Sequence, residues 1–183
     1  GLGQAMERWW LAHPGGRLPV WDLVVVAEFD GRPGLVLVEA KANEPELGAG
    51  PKSAPTGSAG SLANHKQIDA RIKEASEAWS EYAPGIALSA GEHYQLANRL
   101  AWVWKLATLG VPVVFAYLGF YGDKGDLTGA FENPEQWRAA FHEYAGKVRA
   151  DALFDRRYTF GRTPAHLLLW EKMVIRDSEQ ILR

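Results

Sequence analysis

The chain has 183 residues, 47% hydrophobic and 23% charged, with no cysteine and a formal net charge of -2. That suffices for one domain with a sizeable core and the composition of an ordinary globular protein. It excludes disulfides, thiolate metal sites and cysteine nucleophiles, and any nucleic-acid binding must rest on local patches instead of overall basic charge. No apolar run reaches transmembrane length and no basic-plus-apolar leader is read at the start, so no membrane association and a cytoplasmic location are expected.

Leu2–His13 predicts a helix stopped by Pro14-Gly15-Gly16, with Leu2, Met6, Trp9 and Trp10 on its apolar face. Glu7 lies beside that face, either as a solvated helix residue or as a third acid aimed at the open end of a downstream hairpin. That hairpin is predicted over Trp21–Lys41: a β-rich apolar run over Leu23–Phe29, a turn signal at Asp30-Gly31, and a second apolar run over Leu35–Val38. A two-residue turn sets Asp22 opposite Glu39, and a longer loop over Asp30–Pro33 sets it opposite Lys41. Either register brings Asp22 to the open end, where Glu39 and Lys41 share a strand face. Two carboxylates about 4 Å apart repel by roughly 4 kcal/mol at an effective dielectric near 20. A hard divalent cation removes that conflict, and a neighbouring lysine can orient or deprotonate a water, which together suit metal-assisted phosphodiester hydrolysis. Against this stands the plain reading, in which a strand ends in charged residues as it reaches solvent.

Ala42–Asn64 is rich in Gly, Ala, Ser and Pro and reads as a long loop leaving the hairpin mouth, either bringing Lys52 and Ser53 to a substrate or, the favoured reading, simply floppy in the free protein. His65–Tyr82 predicts an amphipathic helix whose stripe of Gln67, Arg71 and Glu74 reads as a solvent face. His93–Leu109 predicts a mostly buried helix with one narrow polar and aromatic stripe, Gln95, Asn98, Arg99 and Trp102. That stripe is either the helix's wet face or a row of phosphate-binding donors with Trp102 free to stack on a base. On the second reading, removing Arg99 or Gln95 weakens nucleic-acid binding without a large loss of stability. Val111–Tyr121 is apolar throughout, as a strand buried on both faces would be, and should rejoin the hairpin's sheet by a crossover. A turn-rich loop covers Gly122–Gly129, and Asn133-Pro134-Glu135 starts a helix running to about Leu153. Ala165–Ile175 is read as a strand with a short helix after it. Lys147, Arg149, Arg156, Arg157 and Arg162 form a basic cluster, either solvated or phosphate-binding.

The order of elements, with Asp22 followed by Glu39-Ala40-Lys41 at a hairpin mouth, resembles the PD-(D/E)xK nuclease superfamily with its restriction-endonuclease-like fold. The Tyr94-Gln95-x-Ala97-Asn98-Arg99 helix before a buried strand, and the helix start at Asn133–Trp137, resemble an uncharacterised bacterial group within it. The likeness covers roughly residues 1–140. It implies an α/β domain with an αβββαβ core over about 1–122, a central mixed sheet flanked by helices, and C-terminal additions over about 123–183. It implies Mg²⁺, with Mn²⁺ able to substitute, on Asp22, Glu39 and the Ala40 carbonyl, with Lys41 serving the attacking water. Glu7 would be the further acid some members use, and Gln95 an accessory residue. DNA is the expected nucleic acid, with a homodimer as one option for assembly. Two departures are visible: Trp21 precedes Asp22 where a proline is usual, and the segment before Asp22 is short for a full first strand. The alternatives are a catalytically inactive module of the same fold that binds nucleic acid or protein, and a hydrolase of another phosphoester. No Gly-x-Ser-x-Gly elbow and no P-loop is present.

Overall fold

The structure, a computed structural model, describes residues 1–48, 50–123 and 128–174. Helix α1 spans Leu2–Trp10, three residues shorter than expected, because the chain turns extended at Leu11. Strands β1 (Leu23–Phe29) and β2 (Arg32–Lys41) form the hairpin. Its turn is the two-residue form: Phe29 pairs with Arg32, and Asp30 and Gly31 both take positive φ, 51° and 74°. That is the backbone which matches strand twist and for which Asp-Gly is suited. Helix α2 (Ala59–Trp79) starts six residues earlier than its apolar periodicity suggests, capped by the Ser58 hydroxyl. Helix α3 (Tyr94–Thr108) and strand β3 (Val113–Tyr121) come next. Helix α4 (Pro134–Gly146) is capped by Asn133 as expected but ends sooner, with a 3₁₀ turn at Asp151–Leu153 taking up the rest of the predicted helix. Strands β4 (Arg156–Phe160) and β5 (Thr163–Met173) close the sheet. The short helix expected after β5 lies outside the described residues.

The five strands form one mixed sheet in the order β1-β2-β3-β5-β4. As expected, β3 rejoins the hairpin by a crossover and lies parallel to β2. Strand β5 runs parallel to β3, and β4 pairs antiparallel with β5 at the far edge. The stretch read as a C-terminal addition therefore supplies two of the five strands. No strand forms between α1 and β1, so β1 is an edge, as the short segment there foreshadows.

One face of the sheet carries the core. Leu37, Phe115, Tyr117, Leu167 and Leu169 lie in register across β2, β3 and β5, and all are buried. Helices α3 and α4 pack on this face, and α2 and α1 build outward from α3. Gly119 is on it too: a Cβ there would sit 2.2 Å from the Trp137 ring, so only glycine lets α4 approach this closely. The other face carries Val36, Val38, Val114, Leu118, Phe120, Leu168 and Trp170, none of which joins the core cluster. The apolar run of β3 is thus fully buried on the helix-covered face, while on the other Ala116 is buried and Val114, Leu118 and Phe120 are only half-buried, short of the expectation. Along the edge, β1 leaves Leu23, Val24 and Val25 exposed and Val26 74% exposed.

This asymmetry sets the cost of truncation. Trp137→Ala, which empties a fully buried site, should cost about 3–5 kcal/mol. Trp170→Ala, at a ring 61% exposed, should stay within about 1 kcal/mol. Urea denaturation of both variants checks the pair.

Candidate active site

The hairpin ladder reads Leu23↔Val38, and one step further places Asp22 opposite Glu39. The ladder is extended by the Asp22 backbone N–H, which donates to the Val38 carbonyl at 3.1 Å. The Asp22 side chain bends back, and its Oδ2 accepts the Ala40 N–H at 2.7 Å. Asp22 is exposed. Glu39 is 3% exposed and points under α3.

The Glu39 carboxylate accepts three hydrogen bonds and makes one further ion-pair contact. Oε1 accepts from Lys41 Nζ at 2.7 Å and from Gln95 Nε2 at 2.8 Å. Oε2 accepts from Arg99 Nε at 2.8 Å and lies 2.7 Å from a second guanidinium nitrogen. Both oxygens of Glu39 are therefore engaged, and two cations face one buried anion. Lys41 and Arg99 are each 5% exposed. The Arg99 guanidinium also donates to Asn98 Oδ1 at 2.7 Å and to the Val20 carbonyl at 2.6 Å, and lies 4.6 Å from the Trp21 ring centre. It thereby ties α3 to the segment that leads into β1.

Asp22, Glu39, Ala40, Lys41, Gln95, Asn98 and Arg99 are thus brought to one place. The stripe on α3 is neither a wet face nor a free row of phosphate donors. It is the counter-charge of Glu39, because β2 carries an acid to the depth at which α3 crosses. Trp102 is half-buried and packs edge-on against Trp10, the ring centres 6.1 Å apart. Glu7 does not complete an acidic cluster, since among the described residues no three His, Cys, Asp or Glu side chains group as a metal site. The basic cluster is also elsewhere: Arg156 and Arg157 lie on β4, separated from the hairpin by β3 and β5. The expected solvent stripe on α2 has a definite role. Gln67 Nε2 donates to the Arg8 and Trp9 carbonyls and Arg71 Nε to that of Trp9, capping the open end of α1. No protein-family model, curated protein or solved structure matches the chain.

Two cavities flank the start of α3. One, of about 700 Å³, lies between residues 11–17 and the 51–61 segment and reaches Tyr94. Arg17, Lys52 and Ser53 line it, and among the described residues its wall contains no carboxylate. The stretch after Lys41 is shorter as a loop than expected and is pinned: Lys52 N–H donates to the Ala90 carbonyl, and Tyr94 N–H to that of Gly50. The other cavity lies between the 3₁₀ turn at Glu44–Leu47, the start of α3 and helix α4. Nothing in the sequence pattern pointed to its key residues. His93 takes a left-handed backbone, φ 49°, at the start of α3 and packs 4.8 Å from the Tyr144 ring. Tyr117 is opposite Glu39 in the register of β2 and β3. The Tyr117 and Tyr144 hydroxyls face one another, but neither completes a hydrogen bond of good geometry. Burial pushes both up, Tyr144 to about 12, so both stay protonated at neutral pH.

The buried ion cluster and the two histidines His93 and His166 can each be tested through stability. Arg99→Met removes one partner of a buried carboxylate, and stability should fall by about 3–5 kcal/mol in urea, where a solvated arginine would shift it by no more than about 0.5 kcal/mol. For His93 and His166, burial holds the folded imidazoles below 6.5. A depressed histidine binds its proton less readily folded than unfolded, so its contribution is intact above the unfolded value and is lost as the pH falls through it. Melting temperature should drop between about pH 7.5 and about pH 5.5, and His93→Asn, which tolerates the left-handed backbone, should flatten part of that drop.

Proposed function

We propose that the chain is a divalent-metal-dependent nuclease, hydrolysing phosphodiester bonds of nucleic acid and of DNA in particular, at Asp22, Glu39 and Lys41. The observation that carries this reading is the hairpin register, which sets Asp22 opposite Glu39 with Lys41 on the Glu39 face at one strand end. The donor chemistry fits a hard cation: two carboxylates and the Ala40 carbonyl are the ligands Mg²⁺ or Mn²⁺ takes. When bound there, such an ion supplies Lewis-acid charge and lowers the pKa of a coordinated water.

The residues of the chain do the rest. The exposed Asp22 has one oxygen on the Ala40 N–H, which steadies the carboxylate and orients its other oxygen. Oε1 of Glu39 already carries the Lys41 ammonium and the Gln95 amide, so a ligand taken up at that oxygen displaces the ammonium. That motion delivers Lys41 to the open end, where it can orient the attacking water or meet phosphate. Arg99 keeps Glu39 in place throughout by its two contacts with Oε2. The acid-free cleft with Arg17 and Lys52 suits a phosphate backbone approaching past Tyr94.

The engagement of both Glu39 oxygens favours a second reading, a module of this architecture that binds nucleic acid without cutting it. Its carboxylate is already neutralised, so the repulsion that would demand a metal is absent. The two separate in one assay. Plasmid, linear and single-stranded DNA, and RNA, are incubated with Mg²⁺, Mn²⁺ or EDTA. The nuclease reading expects metal-dependent cleavage, lost in Asp22→Asn and lowered about 10²–10⁴-fold in Lys41→Met, the scale of a general acid–base group. No cleavage by the parent with any substrate or metal, together with no Mn²⁺ binding by calorimetry, rejects it.

A further inference from the structure

Strand β1 ends the sheet, and its outer row of backbone groups has no partner among the described residues. The register fixes which groups make up that row. The Leu35 N–H donates to the Pro112 carbonyl, toward β3, so the backbone groups of the alternate residues Gly34, Val36 and Val38 face β1. Their partners Ala27, Val25 and Leu23 turn their own N–H and C=O groups inward. Those of Val24, Val26 and Glu28 therefore point outward. The row stops at Val24, because Asp22 turns its N–H in to the Val38 carbonyl. Natural sheets protect such an edge with lysine, proline or a covering segment. Strand β1 contains neither lysine nor proline, and its one charged residue is Glu28. Its side chains are bare on both faces: Val24 and Val26 are exposed on the helix side, Leu23 and Val25 on the other.

The geometry of the row selects what covers it. Val24, Val26 and Glu28 are spaced evenly about Val26, which is also the midpoint of the seven-residue strand. An antiparallel copy of β1, related by a two-fold axis through Val26, therefore meets its own pattern. Val26 pairs with the partner's Val26 and Val24 with the partner's Glu28, and every outward N–H and C=O of the row finds an acceptor or donor. Leu23 falls opposite the partner's Phe29 and Val25 opposite the partner's Ala27, so no two charges oppose each other within the ladder. Shifted registers do worse. An axis at Val25 sets Glu28 against the partner's Asp22, acid on acid. An axis at Val24 calls on the Asp22 N–H, which is already committed to Val38. We propose that β1 is a self-pairing edge through which two copies of this chain join into one continuous sheet. The axis stands perpendicular to the sheet, so the helices of both copies lie on one side. Both Glu39 centres then face that side, one at each end of the paired strands. Just past each end, Asp22 comes near the partner's Asp30 in its turn, a repulsion that salt screens. The pairing does not rest on the nuclease reading.

The test uses the full chain without metal. Sedimentation equilibrium should show a reversible monomer–dimer equilibrium, tighter at high salt than at low. Amide exchange at Val24, Val26 and Glu28 should slow as the dimer fills. Val26 is 74% exposed, so its variants should melt as the dilute parent does. Val26→Lys and Val26→Glu each put two like charges on the axis and should weaken the dimer about 10-fold or more. An equal mixture of the two variants should dimerise again, because lysine then meets glutamate. The chain has no cysteine, so Val26→Cys supplies a single thiol. Residues paired across the axis have Cα atoms about 5.5 Å apart, within disulfide reach. That variant should cross-link to its own copy on oxidation, whereas Val24→Cys, opposite the partner's Glu28, should not. A parent that stays monomeric up to about 1 mM overturns the proposal. So does a dimer that loosens as salt rises, that Val26→Lys leaves intact, or that the mixed variants fail to restore. Equal cross-linking by Val24→Cys and Val26→Cys overturns the register.

Discussion

A carboxylate as deeply buried as that of Glu39 costs several kcal/mol to desolvate, and the molecule is arranged so that the cost is offset. Lys41 comes from the same strand, two residues on; Gln95 and Arg99 come from one face of α3, a turn apart. These groups sit at the join between hairpin and helix layer, so the ion cluster fixes how α3 crosses β2. Arg99 extends the tie through the Val20 carbonyl and the Trp21 ring to the segment entering β1. The position of Asp22 then depends on the same arginine that neutralises Glu39.

This arrangement makes the centre closed at rest. Both oxygens of Glu39 are engaged, and the group of its set that can leave without unpacking a helix is the Lys41 ammonium, carried on a flexible stem. Arg99, pinned on four sides, cannot. The contrast gives the two cations separate tasks: the arginine supports the fold and the lysine is free to act.

The sheet shows a second consequence of packing every helix contact onto one face. The covered face buries Phe115, Tyr117, Leu167 and Leu169, whereas the same strands leave Val36, Leu118, Leu168 and Trp170 outside the core. Strand β1, at the edge, has an unpaired row of backbone groups and an exposed Leu23–Val26 run. Apolar edges of this kind are ones that natural sheets normally cover or charge.

Much of this was legible in the chain. The Asp30-Gly31 signal gave the hairpin and, once the turn was known to be two residues, the pairing of Asp22 with Glu39, because a ladder's register is fixed by its turn. Helical spacing found α3 and its polar stripe, and the Asn133-Pro134 cap found the start of α4, since capping is local chemistry. What the sequence could not determine was depth. Arg99 in a polar stripe reads the same whether it meets water, phosphate or a buried acid, and only the crossing of α3 over β2 decided among them. The same limit hid the uncovered face of β3, whose apolar run does not reveal which side a helix will take. It hid the role of Gln67 and Arg71, which looked solvated until α1 ended against them. His93 and Tyr144, about fifty residues apart, meet only because α4 folds back beside the start of α3. Local patterns carry the period and the caps of the elements; which faces meet, and so which charges are buried, is set by long-range packing.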